Sequence, residues 1–262
     1  MNYELRFTNY ELIKNNPRKL ISILFLLFSL LIFMSCSDAN KKLFDAIEEN
    51  DIETVKTLIS KGMDMNIVND DGKPAIILAV ELKRRRIAEI MLKTEIDCKV
   101  KDTKGTSLLM WVCKNIELDL YAFVINKGVL INDANEDGMT PFMFAAQSGY
   151  IDAVMALIKG GAYVNAQNKD GNTALMLALK NQMESNIRVL RDNKSLLDIK
   201  NNQGETPLII ASEQGLDESV SLLLEYNADK SLKDNKGRTA LSIAQEKGYK
   251  KIIELLTHEN PK

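Results

Sequence analysis

Six glycines, Gly72, Gly105, Gly138, Gly171, Gly204 and Gly237, stand at a constant interval of 33 residues in a chain of 262 that holds only 13 glycines. A period of that length constrains the fold more than any local propensity. Each unit is a small supersecondary piece that cannot bury its apolar face alone, so the units must stack and share one continuous core. Other columns keep the same interval. Two residues after each glycine come Pro74, Ser107, Thr140, Thr173, Thr206 and Thr239, and two further on Ile76, Leu109, Phe142, Leu175, Leu208 and Leu241. Seven after each glycine come Ala79, Val112, Ala145, Ala178, Ala211 and Ala244.

Each column has a physical reading. Glycine preceded by polar turn formers, as in Glu136-Asp137-Gly138 and Lys169-Asp170-Gly171, supplies the positive φ of a hairpin tip. The threonine that follows is a good N-cap, and Pro141 and Pro207 fall at the first helical position, where a missing N–H costs nothing. About two turns later Gly149, Gly215 and Gly248 suit a left-handed helix C-cap. A second helix follows with apolar residues at helical spacing, such as Val154, Leu157 and Ile158. Helices this short do not persist alone, and small alanines in the first helix allow close packing against the neighbouring unit.

The run Gly138-Met139-Thr140-Pro141-Phe142 with Ala145, Ala146 and Gly149, and then Gly161-Ala162 with Asn165, resembles the ankyrin repeat in period, order and spacing. The resemblance implies an all-α fold, an ankyrin-repeat solenoid of about seven helix-turn-helix-hairpin units. The first unit is degenerate, with Ala46, Leu58, Ile59, Gly62 and Asn66 in register. Repeats are expected near 39–68, 69–101, 102–134, 135–167, 168–200, 201–233 and 234–262, within a domain spanning 36–262. The third is expected to be looser, because Ile116 replaces the glycine between its helices. Where the family often carries histidine after Thr-Pro-Leu, this chain has Ile77, Met110, Met143, Met176, Ile209 and Ser242, which replace the packing but not the polar bonds. Lys41, Lys42, Glu48 and Glu49 at one end, and Lys250, Lys251, Glu254 and Glu259 at the other, read as water-facing caps of a complete array.

The sequence argues against catalysis. Histidine-dependent triads, general bases and metal pairs need histidine, and the chain has one, His258, near its C-terminus. No GxxxxGK[ST] phosphate loop occurs. The expectation is a non-enzyme with no cofactor and no metal site. A net charge of −2 speaks against a nucleic-acid partner. Asp70 and Asp71 read as a solvated turn rather than a cation site. Cys98 and Cys113 read as buried thiols without CxxC spacing, and Trp111 falls in an apolar column and reads as core. Lys83-Arg84-Arg85-Arg86 reads as a solvated turn, or alternatively as a cationic contact for anionic headgroups.

Residues 1–35 read as a signal peptide of the lipoprotein type. Arg18 and Lys19 precede the apolar run from Leu20 to Met34, whose fifteen residues cover about 22 Å as a helix, short of the roughly 20 residues that span a bilayer. Phe33-Met34-Ser35-Cys36 resembles a bacterial lipobox, although Phe33 and Met34 depart from its usual residues. The resemblance implies lipidation at Cys36. The alternatives are an incidental Cys36 with ordinary cleavage, or an uncleaved anchor. Glu4 and Glu11 in a long n-region leave room for a downstream translation start. Cleavage before Cys36 leaves 30 basic and 34 acidic side chains.

The family generally grips proteins with hairpin tips and the exposed side of the first helices. That implies a protein partner for the positions just after each glycine, Lys73, Met139, Asn172, Glu205 and Arg238. It implies the same for Glu81, Lys114, Gln147, Lys180, Glu213 and Glu246 on the first helices, with Met139 the apolar anchor. The expected function is a monomeric, non-catalytic scaffold or inhibitor anchored in the bacterial cell envelope. A secreted effector binding a host protein and a regulatory subunit of an envelope enzyme stand as alternatives.

Overall fold

A computed structural model describes residues 38–115, 119–192 and 196–258. The apolar run from Leu20 to Met34, Cys36, Ile116 and Glu259 lie outside the described residues. Among the described residues there are fourteen helices, and isolated antiparallel bridges in place of strands. The first helices of successive units are α1 (38–49), α3 (Ala75–Glu81), α5 (Leu108–Lys114), α7 (Pro141–Gln147), α9 (Ala174–Lys180), α11 (Pro207–Gln214) and α13 (Ala240–Lys247). The second helices are α2 (Ile52–Ser60), α4 (Arg85–Met91), α6 (Tyr121–Ile125), α8 (Ile151–Lys159), α10 (Glu184–Asp192), α12 (Asp217–Glu225) and α14 (Lys250–Thr257). First helices pack on first helices and second on second, giving two layers with a hairpin between consecutive units.

The threonine column starts the helices as its chemistry demands. Thr140, Thr173, Thr206 and Thr239 have extended backbones, and their side chains accept from the N–H groups of Met143, Met176, Ile209 and Ser242. Each such cap contributes about 1 kcal/mol. Ser107 does the same for Met110, whose sulfur accepts from the Ser107 N–H. The alanine column, with Val112, is wholly buried where first helices meet. Ile77, Met110, Met143, Met176 and Ile209 are buried too, so a thioether or branched chain fills the space of the family's histidine. Ser242 remains exposed and caps Thr239 instead.

Between the two helices the chain needs one left-handed residue. Gly149, Gly215 and Gly248 supply it with φ of 75°. Asn50, Lys83 and Gln182 occupy the same column with φ of 60°, 57° and 57°. The third unit differs. Among the described residues its left-handed one is Asp119 (φ 48°), three positions beyond the column, and α6 spans only five residues. A β-branched residue such as isoleucine is a poor occupant of positive φ. The period stays at 33, and α6 starts at Tyr121. Tyr150 of the next unit holds the displaced turn, donating to Asp119 at 2.7 Å and packing edge-on against Tyr121 at 5.1 Å. Burial, and then this bond to a carboxylate, push the Tyr150 phenol well above its ordinary pKa.

Both ends carry polar residues outward: Lys41, Lys42, Glu48, Glu49, Lys250, Lys251 and Glu254 are exposed.

Candidate functional site

The face built from hairpins and first helices is organised by a column that the glycine period alone does not reveal. Three residues before each glycine stand Asn69, Asp102, Asn135, Asn168, Asn201 and Asp234. In every one, a side-chain oxygen accepts from the backbone N–H two residues on and again from the N–H four residues on, at 2.8 to 3.1 Å. This closes each hairpin over its glycine. Successive hairpins are then tied by backbone bonds from Glu136 to Lys104, Lys169 to Asp137, Asn202 to Asp170 and Asn235 to Gln203, at 2.9 to 3.1 Å.

The second atom of each of these side chains decides how the face is wired. In three of the four asparagines the amide reaches back to the residue after the preceding glycine: Asn135 to Thr106, Asn168 to the sulfur of Met139, and Asn201 to Asn172. Where the residue is aspartate, its free oxygen takes a donor from its own unit. Asp102 accepts from the Trp111 indole N–H at 2.9 Å, and Asp234 from the Arg238 guanidinium at 2.8 Å. Burial works to raise the Asp234 carboxyl, but the bonds from Arg238 and Lys236 outweigh it and hold the pKa below the ordinary value.

Two expected contact residues are corrected by this wiring. Met139 is only 9% exposed and Asn172 only 5%, so neither stands free as a partner anchor. Both are covered because the next unit's asparagine draws them back onto the stack. The remaining polar positions bind one another. Lys73 pairs with Glu81 at 2.5 Å, Lys180 bonds Asn172 and Glu205 at 3.2 and 3.5 Å, Glu205 accepts from Asn201, and Arg238 reaches Glu213 at 3.7 Å. Lys180 with Glu205 and Arg238 with Glu213 cross from unit to unit, the others stay within one unit, and together they form a polar ladder along the face.

The ladder stops in the third and fourth units. Trp111, expected as core, and Phe144 of the same column are half-buried, pack against the core and stand on neighbouring helices α5 and α7. The Lys114 ammonium lies 4.8 Å from the Trp111 ring centre, a cation–π contact. Gln147, half-buried on α7, completes the surface. Trp111, which the sequence places in the core, packs against it while its indole N–H bonds Asp102 and part of the ring stays accessible.

No chemistry gathers elsewhere among the described residues. No group of three His, Cys, Asp or Glu converges for a metal. Cys98 and Cys113 are free and buried, and burial pushes both thiols up, as the sequence suggested. Asp70 and Asp71 are exposed on a turn. Lys83, Arg85 and Arg86 of the basic run are exposed, and Arg84 is half-buried. Arg84 donates to the carbonyls of Ile47 and Glu48 at the end of α1, and Arg85 and Arg86 both bond Glu89. No described helix is long and apolar enough to cross a membrane.

Comparison with known proteins agrees with this architecture. The family model described as ankyrin repeats (3 copies) matches in overlapping windows, 26–102, 43–134, 87–167, 109–200 and 193–262. The chain belongs to the ankyrin-repeat family, whose members are generally non-catalytic protein-interaction modules. Two relatives are each 28% identical. One is the human transient receptor potential cation channel subfamily A member 1, over 42% of this chain and 10% of its own length. The other is an ankyrin repeat protein of fowlpox virus (strain NVSL), over 41% of this chain and 18% of its own. The match thus spans under a fifth of either relative.

Proposed function

We propose that this chain is a non-catalytic scaffold or inhibitor that holds a protein partner on its concave face and is anchored in the bacterial cell envelope through a lipid on Cys36. The observation that carries the binding reading is the break in the polar ladder. At Lys73 with Glu81, Lys180 with Glu205 and Arg238 with Glu213 the face pairs its own charges, so a partner there would have to displace intramolecular ion pairs. At Trp111, Phe144, Lys114 and Gln147 it offers aromatic area and a cation without that cost, the composition that dominates interface energy. Lys73, Glu205, Arg238, Lys180 and Glu213 flank this centre and act as a rim.

A photo-crosslinking residue at Gln147, compared with one at Glu225 on the second-helix layer, tests the binding reading in intact cells. A discrete adduct from position 147 alone is expected; no adduct, or the same adducts from both, would remove the concave face as the site. The anchor is tested separately by mass spectrometry of the mature N-terminus. Acylated Cys36, lost with membrane attachment in Cys36→Ala, is expected. An N-terminus elsewhere with attachment unchanged rules the lipid out.

A further inference from the structure

The loops that follow the second helices carry a column of their own: Asp64, Asp97, Leu130, Tyr163, Leu196 and Asp229. Where it is aspartate, the carboxylate accepts from the N–H two residues on, at Asn66, Lys99 and Ser231, and stabilises the turn. Three consecutive units forgo that bond. They place instead large apolar side chains that are 65%, 69% and 59% exposed. Nothing in the stack requires this, since the backbone at Tyr163 and Leu196 is held as at Asp97 and Asp229, each N–H bonded by a side chain of the preceding unit at 2.7 to 2.9 Å. Tyr163 and Leu196 are therefore held in register, Leu130 occupies the same position of the unit before, and with helices about 8–10 Å apart the row extends about 20 Å along one edge.

The helices leading into the first two of these loops repeat a second pattern. Phe123 on α6 and Met155 on α8 are 40% and 47% exposed, and each is followed four residues later by an exposed lysine, Lys127 and Lys159. The Lys127 ammonium sits 5.6 Å from the Phe123 ring centre. Neither lysine has an ion pair among the described residues. The nearest acid in the Leu130 loop, Asp133, is taken by Lys101 at 2.7 Å; Glu95 and Asp97 lie one unit away.

We propose that this edge docks on an anionic lipid surface. Apolar tips beside unpaired cations match the headgroup boundary of such a bilayer, where aromatic and aliphatic side chains enter and lysines meet phosphate. Separate tips in a line present no groove for a compact protein side chain, whereas a plane meets all of them at once. A second copy docked edge to edge would set Lys127 and Lys159 against the same cations. The contact does not depend on Cys36, and it leaves the hairpin and first-helix face open.

The test uses the full chain with a tryptophan placed in the column, as Tyr163→Trp or, for the ends, Asp64→Trp and Asp229→Trp. Each is mixed with vesicles of brominated phosphatidylglycerol or brominated phosphatidylcholine, and wild-type Trp111 gives the baseline. Position 163 is expected to lose fluorescence by about twofold or more with phosphatidylglycerol, because interfacial side chains lie ~5–10 Å into the headgroup boundary. Positions 64 and 229 should stay near baseline, as should 163 with phosphatidylcholine. Adding Leu130→Asp and Leu196→Asp, the column's own alternative residue, should abolish the loss at 163. No loss at 163, equal loss at all three positions, or loss strongest at 64 by proximity to the N-terminal segment would overturn the proposal. So would equal loss with both lipids. A spectral shift at 163 that grows with protein concentration without lipid would assign the edge to a second copy instead.

Discussion

The third and sixth units have the same length and differ in how they spend it. In the sixth, α11 ends at Gly215 in the left-handed region, α12 begins two residues later, and its nine residues bury Val220, Leu223 and Leu224. In the third, a described left-handed residue, Asp119, stands three positions past that column, and the five residues of α6 bury only Val124. The hairpins differ as well. A Cβ built on Gly204 would meet the next hairpin's backbone, whereas one on Gly105 has more room. With the period fixed by the neighbours, every residue a turn takes is withdrawn from burial, and in an array with only nearest-neighbour contacts that loss stays local.

The largest effect that would test this difference is expected from Gly204→Ala. At φ +76° the added methyl would lie 2.8 Å from the Asn235 amide nitrogen, while at Gly105 (φ +71°) nothing comes within 3.6 Å. Both variants carry left-handed strain of roughly 1–2 kcal/mol, but only the first adds a backbone clash. Urea unfolding should therefore show a loss of more than about 2 kcal/mol for Gly204→Ala and about 1 kcal/mol for Gly105→Ala. Equal losses would mean that the C-terminal hairpins are no tighter. Next in size is Tyr150→Phe, which deletes the bond that holds Asp119. It should cost about 1–3 kcal/mol and raise amide exchange in α6 before α12; unchanged exchange in α6 would show that the tyrosine does not pin the short helix.

Acid should narrow the contrast. Near the C-terminal end, Asp217, bonded by Lys251, Asp229, bonded by Ser231, and Asp234 all titrate below the ordinary carboxylate value. A carboxyl with a folded pKa below its unfolded value of about 3.9 stabilises the fold above that pH, and the contribution is lost as pH falls through the folded value. The single tryptophan lies in the third unit, so at neutral pH its fluorescence transition should precede the overall circular-dichroism transition on heating. Below about pH 4 the two should draw together, and a gap that widens in acid contradicts the assignment. The smallest effect is expected from Leu130→Asp, which restores a turn acceptor to the third unit. It should add about 0.5 kcal/mol, seen as a later tryptophan transition.

Much of the fold was legible because periodic chemistry declares itself. The threonine caps, the alanine column and the left-handed glycines follow from residue type at a fixed spacing, and Ile116 announced an irregular third unit. The asparagine and aspartate column had the same interval and went unread, since turn formers near glycine look generic until their acceptors are known. The binding face was harder. Lys180 with Glu205 and Glu213 with Arg238 join the same two columns of successive units, 25 residues apart in both cases, but the two columns carry mixed charges and the period alone does not say that they meet. Whether Met139 lies back or stands free depends on Asn168, a partner one unit away. Trp111 stays half-buried in its column, with Asp102 as the acceptor for its indole N–H.

Met110, Met143 and Met176 lie buried in register through three consecutive first helices, and this gives the chain a chemical memory. Folded, the thioethers are shielded from oxidants. A molecule that unfolds in an oxidising medium gains sulfoxides, each a polar group for which the core has no partner. Refolding then fails at the middle of the stack, and only a reductase that acts on the open chain restores it.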